Sequence, residues 1–427
     1  MTAIPADPKR VKAICFHRIH IPGMTTLEVA RKNGAYAFLP TVLKDFDSAK
    51  IIDEVKASGL RGRGGAGFPT GLKWSFVPRN TGKPTYLMCN ADEGEPGTFK
   101  DRDIMRYDPH LLIEGMIMAG FALGVKDAYI YIRGEFKHEA AILNAAISEA
   151  YAANLLGDNI LGTGYSLNIT VHRGAGAYIC GEETALIESV EGKPGRPRFK
   201  PPFPAVEGFY RSPTVVNNVE TLSTIPAILE HGGAWHAQIG VPNNTGMKIF
   251  SVSGHVNKPG NYEVPLGTPL KTLVEEYCGG LQHGTLPKAI IPGGSSSPWL
   301  MAEHYDIPLT FDALAKAGSM LGSGAIIVMD ETADVVAVAR RLAHFYAHES
   351  CGQCTPCREG TGWIERIMDR IATGRGVPDD LPVIEDAARH MAGRTICALA
   401  DGAAAPILSL LKHFPDEVKA GIMEKAA

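Results

Sequence analysis

Strand-like and helix-like segments alternate through the first half of the chain, and this order constrains the fold more than any other feature. The segments are predicted strands over 86–90, 128–133 and 167–172 and predicted helices over 25–35, 47–58, 110–125 and 137–154. A strand–helix–strand order is typical of a parallel sheet whose faces are covered by helices. We therefore expect an α/β domain over residues 1–240, closed by a helix over 217–230.

Residues 241–329 are expected to form a second, smaller domain. Two β-rich segments, 247–252 and 260–264, flank an Asn-Lys-Pro-Gly turn sequence, which predicts a hairpin. A helix near 270–278 and a strand near 288–291 follow. Together these elements indicate a small α+β module.

The last part of the chain, residues 330–427, has a helical pattern. Its predicted helices, joined by short loops, cover 331–348, 358–373, 382–392 and 403–413. Several short helices in succession predict a small helical bundle.

Charge and hydrophobicity exclude two classes of protein. Lys plus Arg number 42 against 46 for Asp plus Glu, so the chain lacks the basic excess of a general nucleic-acid binder. No apolar run reaches the 18 or more residues that a membrane span needs. The sequence 1–8 has no basic region followed by an apolar core, so we expect no secretory signal.

Cysteine spacing near the carboxyl terminus predicts a metal or redox site. Cys351, Cys354 and Cys357 form a C-x-x-C-x-x-C run, and Cys397 follows forty positions after the run. Three clustered thiolates and one remote thiolate are typical of a [4Fe–4S] site. The run precedes a predicted helix, whose amino-terminal dipole favours thiolates. Structural zinc and unrelated buried cysteines remain as alternatives, although zinc sites more often use two C-x-x-C pairs or recruit His.

A glycine-dense loop over 59–71 is the first candidate ligand site outside the cysteines. It contains G-x-G-x-x-G at Gly62, Gly64 and Gly67. The segment before it is helical in pattern and Phe68-Pro69 follows it, so a standard dinucleotide fingerprint is not indicated. Glycines still let backbone N–H groups approach a flat or anionic ligand. The alternative is a mobile surface loop.

Polar residues directly follow the strand predicted over 86–90. Asn90 offers an amide, and Asp92, Glu93 and Glu95 bring three carboxylates together. Ligands of open α/β sheets bind beyond the carboxyl ends of the strands. We therefore expect these residues at a crevice, with a solvated acidic turn as the alternative.

A second glycine loop, 174–181, leads into a helix that opens with Glu182 and Glu183. Two such loops at one sheet suggest two faces of one ligand or two adjacent ligands. Tyr178 within the loop is either a ligand contact or a packing residue.

The proline-rich stretch 191–204 is either a rigid linker or an arm that contacts a ligand. In the second interpretation Lys200 meets a phosphate and Phe203 stacks on a ring. Asn217 and Asn218 offer side-chain amides, although the pair could equally be a helix cap. The scattered histidines and the lack of a nucleophile elbow argue against a Ser-His-Asp hydrolase.

Five motifs carry a resemblance to a known family. They are GLRGRGGAGFPTGLKW at 59–74, CNADEGEPGTFKDR at 89–102, GAGAYICGEETAL at 174–186, NNVET at 217–221 and ESCGQCTPCREG at 349–360. In this order they resemble the NADH-binding flavoprotein subunits of respiratory complex I, the F subunits of bacterial NADH:quinone oxidoreductases. The resemblance covers about residues 15–415.

The resemblance implies FMN, NADH and one [4Fe–4S] cluster, and it assigns residues to each. For FMN the residues are Gly62, Gly64, Lys73, Asn90, Asp92, Gly181, Glu182, Asn217, Asn218 and Thr221, with Tyr178 counted among the cofactor contacts. Around NADH they are Gly65, Ala66, Phe68, Phe76, Glu93, Glu95, Glu183, Lys200 and Phe203. The cluster ligands are Cys351, Cys354, Cys357 and Cys397, and Glu93 and Glu95 are the residues expected to act at the reacting centre.

The family further implies three consecutive units: a Rossmann-like flavin domain, a ubiquitin-like β-grasp module and the cluster-binding bundle. It implies hydride transfer from NADH to FMN and single-electron transfer to the cluster. A [2Fe–2S] thioredoxin-like subunit and a larger iron–sulfur subunit are the implied partners, with no nucleic acid. The implied location is cytoplasmic, peripheral on the inner face of the cell membrane.

Two other functions remain possible from the sequence. One is the diaphorase subunit of a soluble NAD-linked hydrogenase or formate dehydrogenase. Such relatives often carry extra domains, and the chain begins near its first motif and ends soon after Cys397, so we expect the complex I form. The other is a non-catalytic metal scaffold, which leaves both glycine loops unexplained. The remaining cysteines, namely Cys15, Cys89, Cys180 and Cys278, are expected to be small buried hydrophobes.

Overall fold

A computed structural model describes residues 13–79 and 81–423 of the chain. The stretch 1–8, for which we expect no secretory signal, lies outside the described residues. Within the described part, none of the helices combines the length and the apolar character that crossing a bilayer requires.

The first part of the chain is built on a four-stranded parallel sheet. Its strands are Tyr86–Ala91 (β1), Asp127–Ile132 (β2), Asn168–Arg173 (β3) and Thr214–Asn218 (β4), in the order β3-β2-β1-β4. The three strands predicted from the sequence are confirmed. The helix predicted over 217–230 is wrong at its start, because Asn217 and Asn218 end β4 and the helix begins at Val219.

Helices cover this sheet. They are Leu27–Lys32 (α1), Leu39–Asp45 (α2), Ser48–Ala57 (α3), Thr70–Ser75 (α4), Lys100–Tyr107 (α5), Pro109–Leu123 (α6), Lys137–Ala152 (α7), Glu183–Val190 (α8), Val219–His231 (α9) and Gly233–Ala237 (α10). The apolar helix α6 packs on α9 at Gly115, where an added Cβ would lie 2.0 Å from the carbonyl oxygen of Leu222. Only glycine lets the two backbones approach this closely.

Both faces of the sheet are buried, as its strand sequences require. Successive side chains of a strand point to opposite faces. Accordingly Leu87 and Cys89 join the core formed with α6 and α9, whereas Met88 joins a core shared with the carboxy-terminal helices. The face of the first sheet that carries Met88 therefore packs on the helical part of the chain through this shared core.

The middle of the chain forms a second sheet. Its elements are Gly240–Val241 (β5), Asn244–Thr245 (β6), Met247–Gly254 (β7), Gly260–Pro265 (β8), Leu270–Thr272 (α11) with a π-helical turn over Leu273–Tyr277, Ala289–Ile291 (β9), Phe311–Lys316 (α12) and Ala325–Met329 (β10). The strand order is β8-β7-β10-β9, with β7 and β10 parallel and the outer pairs antiparallel. This arrangement confirms the β-grasp-like module. Its central strand β10 was not among the predicted elements.

The last part is helical, as expected. Its helices are Val335–Glu349 (α13), Thr355–Ala372 (α14), Asp380–Met391 (α15), Leu399–His413 (α16) and Pro415–Lys419 (α17). Helix α13 starts four residues later than predicted because the side chain of Asp334 caps it, accepting from the backbone N–H of Ala337 at 2.9 Å. Helix α14 starts earlier than predicted, so Cys357 lies in its first turn rather than before it.

A buried ionic cluster joins the first part to the second sheet. The carboxylate of Glu220 on α9 lies 2.9 Å from the Nζ atom of Lys100 on α5 and 2.8 Å from that of Lys248 on β7. It also accepts from the backbone N–H of Ile249 at 2.8 Å. Burial alone would raise the pKa of Glu220, but the two ammonium groups lower it to about 2.

Replacing Glu220 by Gln tests this cluster. The variant leaves the buried ammonium group of Lys248 without a counter-charge and leaves Asp101 as the remaining ion-pair partner of Lys100, so the free energy of unfolding should fall by about 3–5 kcal/mol. The contribution of Glu220 is present above the pKa of an unfolded glutamate, about 4.3, and is lost as the pH falls toward 2. Chemical denaturation at neutral pH measures the change.

The matched control is Glu385→Gln. Glu385 forms an exposed pair with Arg389 on the same helix, and exposed pairs contribute little. Equal unfolding midpoints for the two variants would contradict the role given to the buried cluster.

Candidate functional site

A cavity of about 460 Å³ lies where the three parts of the chain meet. This volume falls within the range of small-molecule sites. Ten of the predicted site residues line it: Gly64, Asn90, Asp92, Glu93, Glu95, Tyr178, Gly181, Glu182, Asn218 and Cys397. The β-grasp-like module contributes Ser296 and Ser323, and the first turn of α16 contributes Asp401 and Gly402. The cavity thus joins both glycine loops, a sheet edge and one of the four predicted cluster cysteines.

The floor of the cavity is the carboxyl edge of β1 and β4, which pair side by side at Asn90 and Asn218. Asn90 donates from Nδ2 to the carbonyl of Gly181 at 2.8 Å, which fixes the second glycine loop to the sheet. Asn218 donates from Nδ2 to Asp101 at 2.6 Å and accepts at Oδ1 from the backbone N–H of Glu220 at 3.0 Å. The cap interpretation of Asn218 is therefore confirmed, and its side chain also lines the cavity.

Asp92 supplies an unpaired oxygen to this site. Its Oδ2 atom is buried and has no hydrogen-bond partner among the described residues. Burial raises the pKa of Asp92 to about 7, and Arg133 opposes that rise. A buried carboxyl oxygen without a partner is costly, so a polar ligand that donates a hydrogen bond here would satisfy it.

Glu93 and Glu95 have different surroundings, although both line the cavity. Glu93 accepts from the backbone N–H groups of Asp101 and Arg102 at 2.8 and 3.0 Å and thereby caps α5. Burial raises the pKa of Glu93 to about 8. Both carboxylate oxygens of Glu93 already accept hydrogen bonds from the backbone of α5. This position supports a structural role for Glu93 more directly than it supports contact with NADH.

Glu95 holds all three parts of the chain together. Its Oε2 accepts from the hydroxyl of Tyr178 at 2.5 Å. Its Oε1 accepts from the backbone N–H of Ser296 at 2.8 Å and from the hydroxyl of Ser295 at 3.1 Å. Ser295 in turn lies 2.7 Å from the hydroxyl of Tyr346 on α13. Neither serine was predicted, because no sequence motif reveals a partner two hundred residues away.

Three residues predicted to hold FMN fix the first glycine loop and α4. Lys73 donates from Nζ to the carbonyl of Val216 at 2.7 Å. Asn217 accepts from Nε1 of Trp74 at 2.9 Å, and Thr221 accepts from the backbone N–H of Arg63 at 2.9 Å. None of the three lines the cavity, so their direct contact with a ligand stays a prediction.

The remaining residues predicted to contact FMN or NADH lie outside the cavity lining: Gly62, Gly65, Ala66, Phe68, Phe76, Glu183, Lys200 and Phe203. Three aromatic rings in this group are unusually exposed, with 44% of Phe68, 51% of Phe76 and 57% of Phe203 accessible. The ring centroids of Phe68 and Phe76 are 6.2 Å apart. Exposed apolar rings are available to a flat ligand.

Lys200 lies between two carboxylates. Its Nζ atom is 2.9 Å from Glu182 and 2.8 Å from Glu183. Burial alone would lower the pKa of Lys200, but the two carboxylates, Glu183 foremost, raise it. Glu182 also caps α8 by accepting from the backbone N–H of Thr184 at 2.8 Å. Lys200 is therefore a fixed cation beside the second glycine loop.

The four cysteines of the predicted cluster lie around the first turn of α14 and the start of α16. Cys354 accepts from the backbone N–H of Ile396 at 3.4 Å, which brings the Cys397 segment to the run. Burial raises the pKa of Cys397 to about 11, and the thiols of Cys351 and Cys357 add to the rise. A metal group that binds here must therefore displace thiol protons.

The thiols are not arranged around a single ion. Among the described residues, no three His, Cys, Asp or Glu side chains approach closely enough to share one metal ion. A zinc site needs four donors about 2.3 Å from one ion, whereas a cubane cluster separates its four thiolates by its own width. Four thiols are the donor set that a [4Fe–4S] cluster needs. The other four cysteines, Cys15, Cys89, Cys180 and Cys278, are buried and unbridged.

Comparison with known families agrees with this layout. Residues 55–227 match the Nuo51 FMN-binding domain, residues 249–296 match the SLBB domain, and residues 337–421 match the iron–sulfur binding region of NADH-ubiquinone oxidoreductase F. The F subunit of the NADH-quinone oxidoreductase of Rickettsia typhi is 55% identical, covering 92% of this chain and 93% of the relative. That of Rickettsia felis is 54% identical, covering 95% and 96%.

The chain belongs to the family of NADH-quinone oxidoreductase F subunits. It carries the FMN-binding domain and the [4Fe–4S] region of that family, and it is a subunit of a larger complex. The FMN-binding match leaves the metal-scaffold alternative without support.

Solved structures bear on the diaphorase alternative. A chain of the NAD⁺-reducing [NiFe]-hydrogenase in its H₂-reduced state is similar, with a TM-score of 0.81 and 40% identity over 89% of this chain. The air-oxidised form gives a TM-score of 0.82 and 40% identity. The chain described here spans only 64% and 66% of those hydrogenase chains. The F-subunit relatives are 55% and 54% identical to this chain, against 40% for the hydrogenase chains, so the diaphorase alternative is secondary to the NADH-quinone oxidoreductase assignment.

The first glycine loop offers a test of cofactor contact. An alanine Cβ at position 64 would lie 3.0 Å from Cβ of Asn218, a cavity residue, whereas one at position 62 would make an ordinary contact with the carbonyl of Phe68 at 3.5 Å. We expect Gly64→Ala to weaken FMN binding at least about fivefold through crowding and Gly62→Ala to leave it nearly unchanged. Titration of the flavin-free protein with FMN, followed by flavin fluorescence, measures both. Equal weakening by the two substitutions would show that the cavity lining does not decide FMN contact.

Proposed function

We propose that this chain oxidises NADH with FMN held in the 460 Å³ cavity and delivers the electrons to a [4Fe–4S] cluster on Cys351, Cys354, Cys357 and Cys397. One observation carries the proposal: the cavity at the sheet edge is lined both by the predicted ligand-binding residues and by Cys397, a member of the thiol set. When bound, FMN supplies hydride acceptance from NADH and one-electron donation to an iron–sulfur cluster.

The chain's own residues would hold the flavin in three ways. Asn90 and Asn218 present fixed amides at the sheet edge, and the unpaired oxygen of Asp92 accepts from a ligand hydroxyl or N–H group. Gly64 and Gly181 let the two glycine loops approach the ligand without a side chain between them. Lys100, which was not predicted, adds a buried ammonium group to the lining.

The residues predicted for FMN outside the lining have a supporting role in this proposal. Lys73, Asn217 and Thr221 hold α4 and the first glycine loop against β4 and α9 through the hydrogen bonds described above. Gly62 belongs to the same loop and donates its backbone N–H to the carbonyl of Phe68 at 2.8 Å. These residues keep the loop in position for Gly64.

NADH would bind at the exposed rim. Phe68, Phe76 and Phe203 offer flat apolar surface for the adenine or nicotinamide ring. Gly65 and Ala66 at the loop tip let the dinucleotide approach, and Lys200 beside Glu183 offers charge and hydrogen bonding to its polar parts. Hydride transfer needs no side-chain acid or base, so Glu93 and Glu95 act by position.

Of these two residues, Glu95 is the better-supported candidate for positioning the substrate. Its carboxylate lines the cavity and is held by Tyr178, Ser295 and Ser296. A carboxyl group bonded to three donors is held in a defined position on the cavity lining. Glu93 would act indirectly, because its oxygens cap α5.

The proposal extends to partners and location. We propose that electrons leave to a [2Fe–2S] thioredoxin-like subunit and a larger iron–sulfur subunit, with the complex on the inner face of the cell membrane. The relatives' name, which makes them subunits of NADH-quinone oxidoreductase, supports partner subunits. We also propose domain limits of 1–240, 241–329 and 330–427; each contains one of the matched family regions.

An anaerobic visible spectrum before and after one equivalent of NADH tests the function. Flavin bands that bleach on addition of NADH, together with broad iron–sulfur absorption, are the expected result. A colourless protein that contains zinc and does not respond to NADH would overturn the proposal.

Removing the Tyr178 hydroxyl tests the role of Glu95. Tyr178→Phe takes away the donor to Oε2 of Glu95, and we expect kcat/KM for NADH to fall about 5- to 30-fold because a half-buried carboxylate oxygen loses its partner. NADH oxidation with an artificial acceptor measures this. Tyr305→Phe is the matched control, since its hydroxyl donates to Glu275 at 2.7 Å in the β-grasp-like module. Indistinguishable kinetics for the two variants would refute the positioning of Glu95 by Tyr178.

The cluster assignment is tested by cysteine replacement. Cys354→Ala removes one of the four proposed ligands, so iron and sulfide should fall well below about four of each per chain. Cys278→Ala, a buried cysteine of the β-grasp-like module, should retain them. Chemical analysis of iron and sulfide per chain compares the two variants. Full iron content in Cys354→Ala would contradict the proposed ligand set.

A further inference from the structure

Ser350 lies at the end of α13, directly before the first cysteine of the run, and its hydroxyl faces a sulfur. The Oγ atom is 3.2 Å from Sγ of Cys357, which lies seven residues later in the first turn of α14. The same Oγ accepts from the backbone N–H of Gly352 at 3.3 Å. No role of this serine follows from the proposed electron path itself.

The chemistry of the two atoms fixes the direction of this contact. A serine hydroxyl has one proton and two lone pairs, and the N–H of Gly352 uses one lone pair. A cysteine that ligates iron is a thiolate, so its sulfur has no proton and can only accept. Ser350 must therefore donate its proton to the Cys357 sulfur once a cluster is bound.

We propose that Ser350 raises the reduction potential of the [4Fe–4S] cluster by donating a hydrogen bond to the Cys357 thiolate. The inference rests on the proposed cluster and assigns a tuning residue to it. Hydrogen bonds to the ligand sulfurs are among the factors that set iron–sulfur potentials. Reduction adds negative charge, part of which resides on the sulfurs, so the donated bond is stronger in the reduced form.

Ser350 acts alongside a backbone contribution that substitution cannot remove. Cys354 accepts from the N–H of Ile396 at 3.4 Å, and Cys357 lies in the first turn of α14, where the helix dipole favours negative charge. Both favour the reduced cluster in every variant. The side chain of Ser350 can be changed alone, which makes its share measurable.

Helix α14 offers a close control that separates a structural role from an effect on the sulfur. Thr361, one turn along α14, donates from Oγ1 to the carbonyl oxygen of Cys357 at 2.8 Å. Thr361→Val therefore removes a buried hydroxyl bonded to the same cysteine, but to its backbone rather than its sulfur. A variant that merely loosened this turn would affect the potential in both cases.

The test is an EPR-monitored redox titration of the cluster in the flavin- and cluster-loaded full chain. At a fixed ambient potential near the wild-type midpoint, Ser350→Ala should lower the ratio of reduced to oxidised cluster about three- to tenfold, which is about 28 to 59 mV for a one-electron couple. Ser350→Thr keeps the hydroxyl and should restore most of the ratio. Thr361→Val should match the wild type.

The outcomes separate this inference from the proposed function. An unchanged potential in Ser350→Ala with full iron content, or an equal shift in Thr361→Val, would overturn the inference alone. A wild-type chain without a cluster would overturn the proposed function and the inference with it.

A second measurement applies if Ser350→Ala does not retain the cluster. Resonance Raman bands of the Fe–S(Cys) stretches in the wild type should then shift on transfer to D₂O and be reproduced by Ser350→Thr. Bands that do not move would overturn the inference.

Discussion

The buried carboxylate of Glu220 is the interaction on which the arrangement of the chain depends. It lies between the ammonium groups of Lys100 and Lys248, so it joins helices α9 and α5 to strand β7 of the β-grasp-like module. Lys100 also lies 2.7 Å from Asp101 and 3.3 Å from the side-chain oxygen of Asn218. Buried ion pairs of this kind add little net stability compared with apolar packing, but leaving one member unpaired is costly. They therefore favour the relative placement of the two parts in which Glu220 meets both ammonium groups.

This placement creates the cavity. Lys100, Asp101 and Asn218 belong both to the ionic cluster and to the cavity lining, so the contact that joins the parts also forms the floor of the site. On the opposite side, Glu95 bonds to the β-grasp-like module and, through Ser295, to α13. Helix α13 ends at Glu349, which accepts from the backbone N–H of Tyr178 at 2.9 Å. The same short segment therefore supports the cavity and leads into the cysteine run.

The sequence predicted the parts of this site that depend on local pattern. The strand at 86–90 with its polar end, the two glycine loops and the cysteine run are each visible within a dozen residues, and each lies where the pattern indicates. The strand β4 was missed because Thr214–Asn218 is short and ends in two asparagines. Asn218 does cap α9, so the pattern typical of a cap concealed the strand before it.

The roles that could not be predicted are those set by distant partners. Glu93 is one of three acids in a row, and only the position of α5 reveals that it caps that helix. Lys73, Asn217 and Thr221 stand within motifs typical of FMN binding, yet their hydrogen bonds fix the loop and α4. The division between residues that line the cavity and residues that hold them in place therefore requires the fold.

The central claim is that one cavity connects NADH oxidation to the cluster on the four cysteines. Rapid mixing of the loaded chain with NADH, followed by flavin absorbance and by freeze-quenched EPR of the cluster, tests this claim most directly. We expect the flavin bands to bleach and the signal of a reduced [4Fe–4S] cluster to appear within the same turnover. A flavin that becomes fully reduced while the cluster stays oxidised throughout many turnovers would contradict the account.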